Sequence, residues 1–318
     1  MPSSNSLPPL IVILGPTAVG KTEVAIQLAE RLSGEIISAD SRLFYRGMDI
    51  GTAKPSLTER QRVPHHLIDV AAPNDVWSLA RFQREARQVI GEVHARNQLP
   101  FLVGGTGQYV RAVTQGWQPP KVKPDQSLRT ALENWAAEIG GEGLHARLSV
   151  LDPQAAEKID YRNLRRTIRA LEVILSTGRR FSEQRQNGPP VYDLLLLGLN
   201  RPRPELYSRV DSRIQSMFEM GFVDEVRSLL DGGYSPDLPT LSAIGYREVI
   251  AYLQGEITID EVVTQIKKAT RVFVRRQANW FKAGDPDIHW FSVDEHTVAE
   301  IEQFIQKWLA ERLLDYSD

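Results

Sequence analysis

The sequence predicts an α/β fold in which a parallel β-sheet is flanked by helices and interrupted by a mainly helical insertion. Three observations lead there. A short apolar run at residues 10–14 (LIVIL) ends at a glycine, the pattern of a strand buried on both faces. Strand-like and helix-like stretches then alternate as far as residue 116, which calls for crossover connections and parallel pairing. Beyond residue 116 the strand signal disappears and returns only at residue 193.

The elements follow in order. Residues 22–32 place Val24, Ala25, Leu28 and Leu32 on one helical face. Residues 35–39 (EIISA) read as a second buried strand and residues 67–70 (LIDV) as a third. Residues 100–104 (PFLVG) read as a fourth, after the helical stretch 79–96. Residues 117–124 (WQPPKVKP) hold three prolines in eight positions and can continue neither a helix nor a central strand. The pattern is helical from 127 to 180, and 193–199 (DLLLLGL) restores a core strand. Residues 203–230 and 259–282 read as long helices, and 289–293 (HWFSV) as a last strand. The expected organisation is a disordered Ser/Pro-rich tail at 1–9, an α/β core at 10–116 and 191–318, and a helical insertion at 117–190.

With 42% hydrophobic and 25% charged residues the chain has the composition of a globular protein rather than a disordered one. Its formal net charge is −2, so any contact with nucleic acid must come from local basic patches. It has no cysteine, which removes disulfides, thiolate metal sites and cysteine nucleophiles together. No apolar run reaches the ~18–20 residues needed to span a bilayer, and the N-terminus lacks the basic start and apolar stretch of a signal peptide. The expectation is a cytoplasmic monomer with no membrane partner.

Residues 15–22 (Gly15, Pro16, Thr17, Ala18, Val19, Gly20, Lys21, Thr22) satisfy G-x-x-x-x-G-K-[ST] completely. The loop joins a buried-type strand to an amphipathic helix, so its amides converge at a helix N-terminus where the dipole favours an anion. Lys21 adds a positive charge, and the Thr22 hydroxyl is placed to ligate Mg2+. The core is therefore expected to be P-loop NTPase-like. Nucleoside triphosphatases usually add four apolar residues ending in Asp, and the one candidate, Leu67-Ile68-Asp69-Val70, is weak. Asp40 stands at the carboxyl end of the second strand, the edge where open α/β sheets bind ligands. By itself it is either a general base beside the phosphate site or a turn cap formed with Ser41.

The stretches GPTAVGKT, ISADSRLFYRGMDIGTAKP, PHHLIDV, FLVGGTGQYVRAV, TIRALEV, SAIGYRE and RRQANWF occur in that order over nearly the whole chain. They resemble the tRNA dimethylallyltransferase family, also called tRNA isopentenyltransferases or IPP transferases. The resemblance implies transfer of the dimethylallyl group of dimethylallyl diphosphate to the exocyclic amine of the adenosine 3′-adjacent to the anticodon, in tRNAs reading codons that start with U. It implies that Asp40 takes the amine proton, and that Lys21 and Thr106 share in the chemistry. Thr17 and Thr106 match positions lining the reaction channel, and Arg213 matches an arginine that contacts the diphosphate. The P-loop, Lys21 and Mg2+ on Thr22 would neutralise the leaving diphosphate.

Between residues 161 and 185 stand seven arginines (162, 165, 166, 169, 179, 180 and 185) against Glu172 and Glu183. Leu164, Ile168, Leu171 and Leu175 form an apolar stripe expected to pack inward, leaving Arg165, Arg166 and Arg169 outward. A second patch, residues 267–282, holds six basic residues and no acid, with Trp280 and Phe281 at its end. Either set suits phosphate neutralisation, although a basic helix face is commonly only solvated and the two aromatics commonly core. The resemblance implies that Arg129, Arg165, Arg166, Thr167, Ile168 and Arg169 touch the anticodon stem-loop. Asp40, Ser41, Arg42, Leu43 and Thr106, with Ala243, Ile244, Gly245, Tyr246, Arg247 and Glu248, would hold the target nucleotide and its neighbours, extruded from the loop stack.

The adjacent His65 and His66 suggest a metal site, but without cysteine or nearby carboxylate pairs a structural role fits them better. Gln108 and Asn279 depart from the family pattern, which commonly has an apolar residue and a threonine at these places. Eukaryotic relatives often append a zinc finger that a cysteine-free chain cannot build, so the resemblance is to the bacterial type. Two alternatives remain at this stage. A P-loop kinase or ATPase acting with RNA would turn over ATP. A tRNA-binding module with a purely structural P-loop would show no chemistry.

Overall fold

Leu10, Ile11, Val12 and Ile13 are fully buried, as a strand covered by helices on both faces requires. The computed structural model describes residues 7–75, 77–117, 125–184 and 188–314, with side chains to residue 312. The expectations for residues 1–6, for most of 117–124 and for Arg185 fall outside these residues. In chain order the first stretch runs β1 (Pro9–Leu14), α1 (Lys21–Arg31), β2 (Gly34–Ser38), α2 (Leu57–Arg62), β3 (His65–His66), α3 (Leu79–Ala95), β4 (Leu99–Gly104) and α4 (Gly107–Thr114). Four helices follow: α5 (Gln126–Leu151), α6 (Pro153–Lys158), α7 (Leu164–Thr177) and α8 (Phe181–Gln184). The chain then forms β5 (Asp193–Asn200), α9 (Arg203–Glu219), α10 (Phe222–Asp231), α11 (Tyr246–Leu253), α12 (Ile259–Ala278), β6 (Ile288–Ser292) and α13 (Thr297–Leu314).

The chain divides into two compact units, Met1–Thr114 with Pro190–Asp318 and, separately, Gln115–Pro189. The first holds one six-stranded sheet in the order β3-β2-β4-β1-β5-β6, every pair parallel. Because β4 lies between β1 and β2, the carboxyl ends of β1, β4 and β2 are neighbours although their loops are far apart in sequence. That edge is where an open α/β sheet binds ligands.

Several elements differ from the sequence expectation. The third strand is His65–His66 rather than 67–70, because Leu67 (φ 59°) and Asp69 (φ 56°) take the left-handed conformation and break the extended chain. The helix expected at 203–230 is two helices, divided at Gly221 (φ 92°). The helix expected to reach residue 282 stops at Ala278. Helices α2, α4, α11 and α13 carry no separate expectation.

Glu225 on α10 ties three of these elements together. Its carboxylate accepts from the backbone N–H groups of Asp49 (2.8 Å), Ile50 (2.6 Å) and Gly51 (3.1 Å) and from the Tyr246 hydroxyl (2.6 Å). Burial, followed by the charge of Glu225, pushes the Tyr246 hydroxyl well above its ordinary value, so it stays a donor. Replacing Glu225 by alanine strands these donors. It is expected to lower the unfolding free energy by about 2–4 kcal/mol, read as a lower urea midpoint at unchanged slope.

The second unit has its own core, including Leu132, Ala136, Leu144, Leu148, Ile159, Ile168 and Leu171. The predicted stripe on α7 needs one correction: Leu175 is 56% exposed. Glu172 on the same helix is instead fully buried and neutralised by Arg129 (3.0 Å) and Arg169 (2.6 Å). At the root of this unit the Gly188 N–H donates to the Gly116 carbonyl at 3.1 Å, so its two ends lie side by side.

Candidate active site

The loop after β1 is shaped by glycine at both ends. Gly15 (φ 147°) lies so close to β5 that a Cβ there would stand 2.7 Å from the Leu199 carbonyl oxygen. Gly20 (φ 112°) occupies the N-cap of α1 and makes no side-chain cap, so the first N–H groups of the helix remain open to an anion. Ala18 is also left-handed, at φ 65°. The loop is fastened from outside: Arg209 Nε donates to Ala18 O (2.8 Å), and Arg201 Nε to Val19 O (2.9 Å). The Thr17 N–H donates to Gln277 Oε1 at 2.8 Å. Lys21 Nζ, deep inside, donates to the carbonyls of Gly15 (3.0 Å) and Pro16 (2.8 Å). Burial lowers its pKa to about 8; Asp40 opposes that shift and Arg213 adds to it.

Across the sheet edge, Asp40 follows β2. Its Oδ1 accepts from the Arg42 N–H at 3.0 Å, so the turn role inferred from sequence is present. Its second oxygen makes no hydrogen bond among the described residues and is left to accept a proton. A cavity of about 60 Å³ lies between the two loops, lined by Lys21, Thr22, Ser38, Asp40, Leu43 and His65 among others. Thr106 lies in the third loop, between β4 and α4; its hydroxyl, like that of Thr22, makes no hydrogen bond among the described residues. Arg213 on α9 makes no hydrogen bond or ion pair among the described residues, and burial and then Arg209 hold its pKa below the usual guanidinium value against the pull of Asp40. Lys21, Arg209 and Arg213 thus gather positive charge where the sheet edge opens. A di- or triphosphate would find there both an amide cradle and uncompensated cations.

Arg209 and Gln277 were missed from sequence. Arg209 stands one helical turn before Arg213 on the same face of α9, and Gln277 is a polar residue at a buried position of α12; both signals were present.

The segment at 40–43 meets the segment at 240–248 directly, since Arg42 Nη1 donates to the Thr240 carbonyl at 3.1 Å. Within the second segment Ala243, Gly245, Tyr246 and Glu248 are buried, and Glu248 caps the Gly245 N–H at 2.7 Å. Of residues 243–248, expected to hold the target nucleotide and its neighbours, Ile244 is partly exposed and Arg247 exposed. In the second unit Arg165 and Arg166 are exposed, whereas Thr167 and Ile168 face its core and Arg129 and Arg169 are engaged by Glu172. Trp280 packs on Gly107, where a Cβ would lie 2.3 Å from its ring, and Phe281 is buried, so both serve the core. Lys267, Lys268, Arg271 and Arg275 line a surface groove of about 310 Å³ on α12. His65 bonds the Val63 carbonyl (2.9 Å) and His66 the Glu35 carboxylate (2.6 Å).

Comparison with known proteins agrees with this geometry. The model of the family described as IPP transferase matches residues 43–284, and that described as isopentenyl transferase matches residues 8–70. A protein of Roseiflexus sp. (strain RS-1) named tRNA dimethylallyltransferase is 53% identical over 274 residues, covering 86% of this chain and 90% of its own. Its namesake in Thermomicrobium roseum is 46% identical over 291 residues, covering 92% and 88%. The crystal structure of the full-length tRNA isopentenylpyrophosphate transferase of Bacillus halodurans superposes with a TM-score of 0.73 at 41% identity, covering 98% and 99%. A eukaryotic dimethylallyltransferase acting on tRNA superposes at 0.80 and 27% identity, covering 96% and 80%. The chain belongs to the IPP transferase family.

Proposed function

We propose that this protein transfers the dimethylallyl group from dimethylallyl diphosphate to the exocyclic amine of the adenosine 3′-adjacent to the anticodon, in tRNAs that read codons starting with U. The observation that carries the reading is the placement of the Asp40 carboxylate and the P-loop on one cavity. An aromatic amine is a weak nucleophile and diphosphate a poor leaving group unless its charge is met. Asp40 and the cradle address the two problems from opposite sides.

In the step, the amine nitrogen forms a bond to C1 of the dimethylallyl group as the C1–O bond breaks. The electron pair of that bond leaves with the diphosphate, toward the open amides at the start of α1, Lys21 and Arg213. The amine proton goes to the free oxygen of Asp40. The cavity offers hard oxygen donors, Thr22, Ser38 and Asp40, but no cluster of three metal-ligating side chains occurs among the described residues. That set suits Mg2+, which keeps few protein ligands and takes the rest from substrate phosphates. Thr22 would hold it, and its charge would help neutralise the diphosphate. Thr106, the partly exposed residues 40–43 and Ile244, and the exposed Arg247 would steady the flipped nucleotide, and Arg165 and Arg166 the stem-loop backbone. No helix among the described residues is long and apolar enough to cross a membrane.

The test incubates the protein with unmodified tRNA, Mg2+ and radiolabelled dimethylallyl diphosphate, with ATP in a parallel tube. Label mapped to the adenosine beside the anticodon supports the reading; no label together with tRNA-stimulated ATP hydrolysis overturns it. Reversing charge at Arg165 and Arg166 together is expected to weaken tRNA binding about tenfold and to shallow its salt dependence by about two phosphate contacts, in filter binding over a salt series.

A further inference from the structure

Gln277 joins two of the three loops of the site, and the family's chemistry gives it no role that its position would leave idle. It lies in the last turn of α12, 6% exposed, with its amide between the loop after β1 and the loop after β4. Oε1 accepts from the Thr17 N–H (2.8 Å), while Nε2 donates to the Gly105 carbonyl (3.1 Å). The partners dictate the amide's orientation, because one offers only a donor and the other only an acceptor. Space is reserved for it: a Cβ on Gly105 would stand 2.3 Å from Nε2 and 3.0 Å from the Gly15 carbonyl oxygen. The helix that carries this amide also carries the exposed Lys268, Arg275 and Arg276.

We propose that Gln277 is a positioning residue: one buried amide sets the distance between the diphosphate cradle and the Thr106 wall, and so aligns the C1–O bond with the incoming amine. The inference rests on the transfer reaction proposed above. It holds the backbone of Thr17 and of Gly105, the neighbour of Thr106, so losing either hydrogen bond lets the two loops drift without removing a side chain that faces substrate. The amide also takes the Thr17 N–H out of the anion cradle, leaving the diphosphate to the amides nearer α1. An ångström of misplacement costs a reaction of this kind about a hundredfold.

The experiment compares wild type, Gln277→Met and Gln277→Glu in the labelled transfer assay, with tRNA affinity by filter binding and thermal unfolding measured alongside. Gln277→Met fills the same volume with neither donor nor acceptor; kcat is expected to fall about ten- to a hundredfold with tRNA affinity within about twofold. Gln277→Glu keeps the acceptor but faces the Gly105 carbonyl with a second oxygen. Once protonated, its acid again offers one donor and one acceptor, so its rate relative to wild type is expected to recover as pH falls. The wild-type profile, measured in parallel at each pH, is the reference. A wild-type rate in folded Gln277→Met, or a Gln277→Glu ratio flat with pH, overturns the inference. Loss of kcat only in step with loss of tRNA affinity and folding does so too. No transfer by the wild type would instead sink the reaction itself.

Discussion

Asp40→Ala is expected to lower prenyl transfer by about a thousandfold while leaving tRNA affinity within about twofold. The carboxylate sits on the cavity opposite the P-loop with one oxygen committed to the Arg42 N–H and the other free. Removing it takes away the proton acceptor. The residues expected to grip RNA remain, since Arg42 is held independently by the Thr240 carbonyl. Asp40→Asn separates the two duties of the side chain, because the amide oxygen can still accept from Arg42 but cannot take a proton. It should be as inactive as alanine and more stable. Single-turnover transfer and filter binding on the same preparations decide the matter. An Asn variant with substantial activity would remove Asp40 from the chemistry.

Lys21→Met is expected to abolish transfer and, without ligand at pH 7, to raise thermal stability. The ammonium is buried and its pKa lowered to about 8, first by burial. The folded state therefore binds the proton less well than the unfolded chain, whose value is near 10.5. That penalty is fully present below about pH 8, shrinks as pH rises from about 8 to 10.5, and is gone above. It corresponds to about 3 kcal/mol, against which the two hydrogen bonds to Gly15 and Pro16 contribute about 1 kcal/mol each. The methionine variant should be about 1 kcal/mol more stable than wild type at pH 7 and lose that advantage by pH 10. Bound diphosphate should reverse the order, because only the wild type gains a partner for its charge. Melting curves over pH, with and without dimethylallyl diphosphate, measure both effects.

The strands that build the catalytic edge were legible from sequence because each is a continuous apolar run closing on a glycine or a small polar residue. The P-loop was legible because its amide geometry fixes residue types at fixed spacing. Where the reading failed, long-range partners decided the outcome. Strand β3 is two histidines held to β2, an apolar-run signal too short to register. Tyr246 entered only as part of a segment implied by the resemblance, and nothing local shows that Glu225, distant in sequence, holds its hydroxyl. Glu172 was counted as one of two acids diluting a basic stretch, when it is the buried partner that removes Arg129 and Arg169 from the free cations. Gln277 stood inside a motif recognised as a string, and only the coordinates show which two backbone groups its amide joins.

The hydrogen bond between Gly188 and Gly116 has an evolutionary meaning. A unit whose entry and exit segments touch is spliced into its host at a single point, and it brings a separate hydrophobic cluster with it. The host sheet takes no strand from it, and all six strands belong to the other unit. Such a graft behaves as an exchangeable cassette: its length and charge can be rewritten without disturbing the register of the sheet or the P-loop. Selection can then rewrite the surface of one unit while the sheet and P-loop of the other stay fixed.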